Sequence, residues 1–228
     1  MRKSDFADVR AVVDAGQPRP ILLLGAGASV TSGVPLVREL VDLIGRHAFC
    51  LRHQRDVADP TLVRSDWIPW LQSHEWYDAD VTPDEQYTRH ITNLLVPRER
   101  RRQFFQQHVM VSPDNASRGY RALASLVGKR RIHSVLTTNF DSLVIDSCRR
   151  DPTATAASHV RTPEEAHLIT TDPAVSQVVH VHGAVEHYTD LNLADEVEHL
   201  NGALVQLSTG LQAADRHLGR VATVFKLG

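Results

Sequence analysis

The chain has 228 residues, of which 42% are hydrophobic, so it is long and apolar enough to bury the core of one large domain. Its formal net charge is only -2, from 25 basic and 27 acidic side chains, which argues against direct binding to nucleic acid and against a polybasic membrane binder. The sequence has no apolar run long enough to span a bilayer, no signal-peptide pattern, and two distant cysteines that make neither a disulfide framework nor a four-thiolate zinc site. We therefore expect a cytoplasmic globular protein.

The first segment with a clear pattern predicts a strand, a glycine-rich loop and a helix. The continuous apolar run Ile21–Leu24 is typical of a buried parallel strand, and Gly25 and Gly27 interrupt it. Pro35 is a favourable residue near the start of the helix that follows. The predicted apolar face of this helix consists of Leu36, Leu40, Leu43 and Ile44.

The middle of the chain, from about 46 to 111, has a different character. It contains all three tryptophans and several prolines but no strand pattern, so we interpret it as a mainly helical insertion or lid. Its basic stretch carries Arg98, Arg100, Arg101 and Arg102. These side chains could bind phosphates, although a solvated helix face is the preferred interpretation.

After residue 115, helices and strands alternate along the chain. The first predicted helix covers 117–131, and its inward residues are Tyr120, Leu123, Leu126 and Val127. Three further helices are predicted, over 140–150, from near Thr162 and over 204–218. The predicted strands cover 132–138, 176–183 and 221–228. This alternation predicts a Rossmann-like, doubly wound parallel sheet with a mainly helical insertion, in one domain over 1–228.

In such a sheet, ligands bind where loops leave the carboxyl ends of the strands. After the first strand the sequence reads GAGAS, and its glycines would let the backbone approach a pyrophosphate closely. The dinucleotide fingerprint requires a third glycine where Val30 stands, and Gly33 is displaced from that position. A tight turn without a ligand is therefore an alternative interpretation.

Two further strand exits carry polar residues. Asn139 and Asp141 follow one strand and flank Phe140. They could form a polar pair facing a cavity, but for this stretch taken alone a cap for the next helix is the preferred interpretation. On a later strand His180 and His182 share one face. They are candidates for a metal site or for one catalytic histidine beside a glycine, and His180 is also a candidate core residue. The metal interpretation adds His187 as a ligand, although no further ligand is evident.

The order of these motifs resembles the sirtuin superfamily, most closely the sirtuin-like domains of prokaryotic antiphage defence systems. The matching stretches read GAGAS with GVP, then TTNFD, then HG, and the resemblance runs from about residue 20 to 183, weakly through the helical middle. Where protein-deacetylating sirtuins have aspartate-phenylalanine-arginine after the proline, this chain has Leu36, Val37 and Arg38. This departure and the absence of a four-cysteine zinc module argue against peptide deacetylation. The chain stops at Gly228, where the family continues with a glycine-serine loop, so we expect a piece of a longer protein.

The resemblance implies an NAD+ hydrolase that cleaves the nicotinamide–ribose bond and gives nicotinamide and ADP-ribose. It implies NAD+ as the substrate and no metal. By resemblance, Asn139 orients the ribose and a water, Asp141 holds the carboxamide, and His182 is the general base. The full set of residues expected to contact NAD+ is Gly25, Ala26, Gly27, Ser29, Pro35, Arg38, Thr138, Asn139, Asp141, His182 and Gly183.

The resemblance also implies an NAD-depleting effector in antiphage defence, acting as a homo-oligomer with a fused or associated sensor or effector protein. Three alternatives stay open. The chain is a sensor that binds NAD+ or ADP-ribose without turnover, a transferase for ADP-ribosyl or acyl groups, or a metal-dependent hydrolase built on the histidines.

Overall fold

The computed structural model describes residues 11, 14, 19–154, 157–161, 163–170, 172, 174–181 and 224–227. The strands are β1 (Ile21–Leu24), β2 (Ser134–Thr137), β3 (Ser158–Val160), β4 (Gln177–His180) and β5 (Val224–Leu227). The α-helices with described bounds are α1 (Val37–His53), α2 (Arg64–Gln72), α3 (Pro83–Leu94), α4 (Arg98–His108), α5 (Arg118–Gly128) and α6 (Leu143–Arg150). Short 3₁₀ helices span Ala26–Ser32, Pro113–Asn115 and Pro163–Leu168.

The five strands form one sheet in the order β3-β4-β2-β1-β5, and every described strand pair is parallel. The fold is thus the predicted α/β, Rossmann-like parallel sheet with a mainly helical insertion. β2 and β4 are largely buried, as expected for strands covered on both faces. The register pairs Leu24 with Thr137 and Thr137 with His180. The carboxyl ends of β1, β2 and β4 therefore lie side by side.

Most predicted elements of the sheet are confirmed, with differences at their ends. β1 has the predicted bounds, and α5, β2, α6 and β5 fall within the predicted ranges. Pro163–Leu168 is a 3₁₀ helix instead of the predicted α-helix, and β3 was not predicted. Leu36 is exposed instead of sharing the buried face of α1. Thr162 and the predicted helix over 204–218 lie outside the described residues.

The chain divides into two compact units, Met1–Val34 together with Met110–Gly228, and Pro35–Val109. The second unit contains α1–α4, which agrees with the helical interpretation of the middle. Its buried cluster includes Phe49, Cys50, Leu62, Trp67 and Leu71, and Trp70 and Trp76 pack against that cluster. The single domain over 1–228, with an insertion bounded near 46 and 111, stays a prediction.

The arginine-rich helix α4 belongs to this second unit. Arg98, Arg100 and Arg102 are exposed, whereas Phe104 and Phe105 on the same helix are fully buried. This division supports the solvated-face interpretation of the arginines. None of the helices among the described residues is both long and apolar enough to cross a membrane.

In the unit that contains the sheet, α5 packs against α6, and the chain after α6 passes very close to the end of α5. A Cβ atom placed on Gly128 would collide with Oγ1 of Thr153 and would lie 2.6 and 2.7 Å from its carbonyl carbon and oxygen. Backbone atoms cannot rotate away as a side chain can. Gly128 is therefore required by the close approach of two chain segments.

We expect Gly128→Ala to lower the free energy of unfolding by roughly 1–3 kcal/mol, the usual cost of overpacking. Gly119→Ala on the same helix is the matched control, because its added Cβ would meet only Oγ of Ser117 at 3.4 Å. That control should be neutral or stabilising by up to about 1 kcal/mol, because alanine favours the helix. Urea unfolding of both variants measures the difference, and equal effects would refute the close approach.

Candidate functional site

The candidate site lies at the carboxyl edge of the sheet, where the loops after β1 and β2 leave it side by side. Beyond the strands the two backbones remain joined. The N–H and the hydroxyl of Thr138 both donate to the carbonyl oxygen of Leu24, at 3.0 and 3.3 Å. The predicted glycine-rich loop and the predicted asparagine–aspartate pair are thereby brought to one place.

The loop after β1 is shaped by the 3₁₀ helix Ala26–Ser32 and by the glycine that ends it. Gly33 has a φ of 92°, in the left-handed region where glycine is unstrained, and its N–H donates to the carbonyl oxygen of Val30 at 2.9 Å. The displaced third glycine of the sequence therefore has a conformational role. Ala26 and Gly27 are exposed on this loop, whereas Ser29, two residues further along it, is fully buried.

Ser29 is the centre of a buried hydrogen-bond cluster. Its Oγ lies 2.6 Å from Oδ2 of Asp141, 2.6 Å from the hydroxyl oxygen of Tyr120 and 2.8 Å from Nδ2 of Asn139. We call these four residues the Ser29 cluster. All four side chains belong to buried residues. The cluster connects the loop after β1, helix α5 and the loop after β2.

The direction of each hydrogen bond in the Ser29 cluster follows from the number of bonds that the Ser29 hydroxyl can donate and accept. A serine hydroxyl donates one hydrogen bond and accepts two. Ser29 donates to the carboxylate of Asp141 and accepts from the amide of Asn139, so the hydroxyl of Tyr120 donates to the remaining lone pair. Burial, followed by the nearby charge of Asp141, raises the pKa of Tyr120 to about 12, so this hydroxyl keeps its proton near neutral pH.

Asp141 has two structural roles at once. Its Oδ2 accepts from Ser29, while its Oδ1 accepts the backbone N–H of Leu143 at 3.1 Å, at the start of α6. The contact with Leu143 supports the capping interpretation of this residue, whereas a polar pair facing a cavity stays a prediction. Burial raises the pKa of Asp141, and the hydrogen bonds from Ser29 and Leu143 only partly offset that effect.

Asn139 leaves one strong acceptor unused. Its backbone N–H donates to Oγ1 of Thr137 at 3.1 Å, and its Nδ2 donates to Ser29. The residue is only 6% exposed, yet its Oδ1 has no hydrogen-bond partner among the described residues. A buried amide oxygen without a partner is costly, so such an atom points to a missing donor from a water or a ligand.

His180, at the end of β4, holds the turn that carries Asn139. Its Nδ1–H donates to the carbonyl oxygen of Asn139 at 3.2 Å, which fixes Nδ1 as the protonated nitrogen because a carbonyl can only accept. Burial lowers the pKa of His180 to about 4, and burial together with His180 lowers that of His159 to about 3. The two ring centroids are 5.1 Å apart. His180 is therefore a neutral core histidine whose Nε2 has no partner within the described part of the chain.

The structure brings together only some of the residues predicted to contact NAD+. Asn139 and Asp141 both form a hydrogen bond with Oγ of Ser29. Thr138, between them and β2, bonds to the carbonyl oxygen of Leu24 at the end of β1. Gly25, Ala26 and Gly27 lie on the same loop as Ser29. Pro35 and Arg38 belong to the second unit, so their roles stay predictions. His182, Gly183 and His187 lie outside the described residues.

Tyr120 is the site residue that sequence reasoning missed. The pattern of α5 predicted that it would face inward, which is confirmed, but helical periodicity reports burial and says nothing about chemistry. The signal that could have found it is the hydroxyl itself, since a buried tyrosine needs a hydrogen-bond partner. Among the residues whose positions are described, no group of three or more histidines, cysteines or acids could hold a metal. The predicted triad of His180, His182 and His187 is not tested by this, because two of its members are not described.

The fold and this cluster define the class of the protein as a Rossmann-like α/β protein with a buried polar site at the carboxyl edge of its sheet. Comparison of the chain with known protein families and with curated proteins finds no match.

We expect Ser29→Ala to lower the free energy of unfolding by roughly 1–3 kcal/mol, because three buried groups lose their shared partner. Ser147→Ala is the matched control: Ser147 is also buried, but its hydroxyl has no partner among the described residues. Removing an unsatisfied hydroxyl should cost no stability. Denaturant unfolding of the two variants measures the difference. An equal loss of unfolding free energy in both would contradict the role of Ser29 as the shared hydrogen-bond partner of the cluster.

Stability should fall on mild acidification because His159 and His180 are held neutral. An unfolded histidine takes up a proton near pH 6.5, whereas the folded pKa values are about 3 and about 4. Between about pH 6.5 and about pH 4 the unfolded state thus binds more protons, at up to about 1.4 kcal/mol per pH unit for each histidine. The free energy of unfolding, measured at several pH values, should fall less steeply with acidification in His180→Gln than in the wild type. An equally steep fall in the variant would exclude His180 as a source of the pH dependence.

Proposed function

We propose that the chain is an NAD+ hydrolase, which cleaves the bond between nicotinamide and ribose and releases nicotinamide and ADP-ribose. The observation that carries this proposal is the buried Oδ1 of Asn139, which has no hydrogen-bond partner among the described residues, on a side chain that shares the hydroxyl of Ser29 with Asp141. The order of the three sequence motifs supports it. A tight turn or a helix cap alone would not need an amide oxygen left without a donor.

The chemistry requires a site that tolerates positive charge on the sugar. Loss of nicotinamide gives the ribose oxocarbenium-like character, and the leaving group is already activated because its ring nitrogen is cationic in NAD+. A buried carboxylate at Asp141 would favour such charge more strongly than a carboxylate in water. The Oδ1 of Asn139 would accept a hydrogen bond from a ribose hydroxyl or from the attacking water.

The existing contacts leave room for these roles. Each oxygen of Asp141 accepts one hydrogen bond from another described residue, and a carboxylate oxygen has a second lone pair that can accept from a carboxamide NH₂. Ala26 and Gly27 are exposed on the loop, where their backbone would approach a pyrophosphate. His180 would position Asn139 through its carbonyl, and His182 would be the general base.

The proposal extends to the setting that the resemblance implies. The protein would work in the cytoplasm as an NAD-depleting effector of antiphage defence, as a homo-oligomer and with a fused or associated sensor or effector protein. It would need no metal for bond cleavage. Binding of NAD+ or ADP-ribose without turnover, and transfer of ADP-ribosyl or acyl groups, are the competing outcomes.

The deciding experiment is incubation of the purified protein with NAD+ and chromatography of nicotinamide and ADP-ribose. We expect release in the wild type and a loss of at least about 100-fold in Asn139→Ala, the order expected for a lost catalytic group. Lys129→Gln, an exposed change at the end of α5, should keep full activity. Saturable NAD+ binding without release would favour the sensor, and a modified acceptor seen by mass spectrometry would favour a transferase.

Replacement of the proposed base tests the mechanism separately. His182→Ala should lower turnover by roughly 10²–10⁴-fold, the usual contribution of a general base. His187→Ala should be active, since only the metal interpretation needs His187. Equal loss in both variants, together with metal found in the purified protein by elemental analysis, would favour the metal-dependent hydrolase. Near-wild-type turnover in His182→Ala would remove His182 from the mechanism.

A further inference from the structure

A pocket of about 260 Å³ opens between α5 and α6, away from the Ser29 cluster. Its lining comes from the 3₁₀ helix Pro113–Asn115, from both α-helices and from the turn after α6. The residues that line it include Pro113, Asp114, Ala116, Arg121, Ser147 and Arg150. The volume is slightly below the roughly 300–1,000 Å³ of pockets that hold drug-sized ligands, so it suits a small molecule with a single ring.

The floor of this pocket, which we call the α5–α6 pocket, carries an unsatisfied polar group. Ser147 lines it and is 5% exposed. Its hydroxyl has no hydrogen-bond partner within the described part of the chain. Buried hydroxyls in folded proteins almost always have a partner, so this one lacks a hydrogen bond that a ligand in the pocket could supply if the pocket wall adjusted.

Four of the described residues that line the pocket are charged, two arginines and two aspartates, and they differ in the partners they have. Arg150 is neutralised by Asp114, at 2.6 Å. Asp151, which also lines the pocket, accepts from the backbone N–H and the hydroxyl of Thr153. Arg121 donates only to the neutral carbonyl oxygen of Ala116, at 3.0 Å, and no carboxylate among the described residues pairs with it. The described lining has no net charge, because hydrogen bonds from Thr153 lower the pKa of Asp151 and keep it ionised. The guanidinium of Arg121 nevertheless has no carboxylate partner among the described residues and keeps N–H donors that an anion could use.

We propose that the α5–α6 pocket binds a small organic anion, a carboxylate or phosphate carried on an apolar ring. The guanidinium of Arg121 would bind the anionic group, because its planar N–H donors match carboxylate and phosphate oxygens. Pro113 and Ala116 would contact the ring, and the hydroxyl of Ser147 would form a hydrogen bond. This site shares no residue with the Ser29 cluster and does not depend on the proposed hydrolase activity.

The pocket is connected through α5 to the glycine-rich loop. Arg121 directly follows Tyr120, whose hydroxyl bonds to Ser29. Ala116 directly precedes Ser117, whose N–H donates to Oγ of Ser32 at 3.0 Å. An anion in the pocket would therefore contact the helix end that holds both parts of the loop, which is where a small effector would act on the site.

The test is a titration of the full chain with phenyl phosphate and with benzoate, followed by amide chemical shifts in NMR spectra. We expect saturable shifts at residues 113–121 and 147–151, with a dissociation constant on the order of 1 mM for such small probes. Benzamide, a neutral probe of the same ring size, should bind at least about tenfold more weakly because it lacks the charge.

Variants then distinguish binding in the α5–α6 pocket from non-specific attraction of the anion to a positive charge. Arg121→Gln should weaken phenyl phosphate binding about tenfold, and Ser147→Ala should weaken it by about threefold or more. Arg118→Gln removes the same charge from the same helix at an exposed position outside the pocket and should change nothing. The proposal is overturned if no probe gives saturable shifts at these residues, if benzamide binds equally well, or if Arg118→Gln weakens binding as much as Arg121→Gln.

Discussion

The hydrogen bond between Ser29 and Asp141 joins positions 112 residues apart in sequence, and the rest of the site depends on it. It forms because parallel pairing of β1 with β2 brings both loops to one edge of the sheet. A serine hydroxyl is small enough to be fully buried there and has one proton and two lone pairs, all of which are used. Alanine would leave the carboxylate, the phenol and the amide without their common partner.

This arrangement stabilises a buried carboxylate that has no cationic partner among the described residues. Desolvation of Asp141 is partly offset by donors from Ser29 and from the backbone of α6, and the second contact also fixes where α6 begins. Tyr120 ties α5 to the same hydroxyl. Two helices and two loops therefore share one polar centre. In this network the Oδ1 of Asn139 is the acceptor that has no hydrogen-bond partner among the described residues, which is why the proposed function is built on it.

The sequence predicted the parts of this fold whose signals are local. Four consecutive apolar residues were enough for β1, and a polar pair after an apolar run was enough to place Asn139 and Asp141 at a strand exit. β3 was missed because Ser158–Val160 is too short to show a period of two. Tyr120 was missed because its chemistry depends on Ser29, 91 residues away. The sequence could not separate the two interpretations of Asp141, since a carboxylate has two oxygens and here bonds both to the backbone of α6 and to Ser29.

The two histidines predicted on one strand face should differ in what they can do. A general base works best with a pKa near the operating pH, and His180, with a pKa of about 4, is a poor acceptor of protons there. Its Nδ1–H is committed to the carbonyl of Asn139, so its contribution is geometric. Burial both orients this ring and keeps it neutral, which removes it from proton transfer. In the proposed hydrolysis the role of base therefore falls to His182, as the motif resemblance implies, while His180 fixes the turn on which the asparagine is carried.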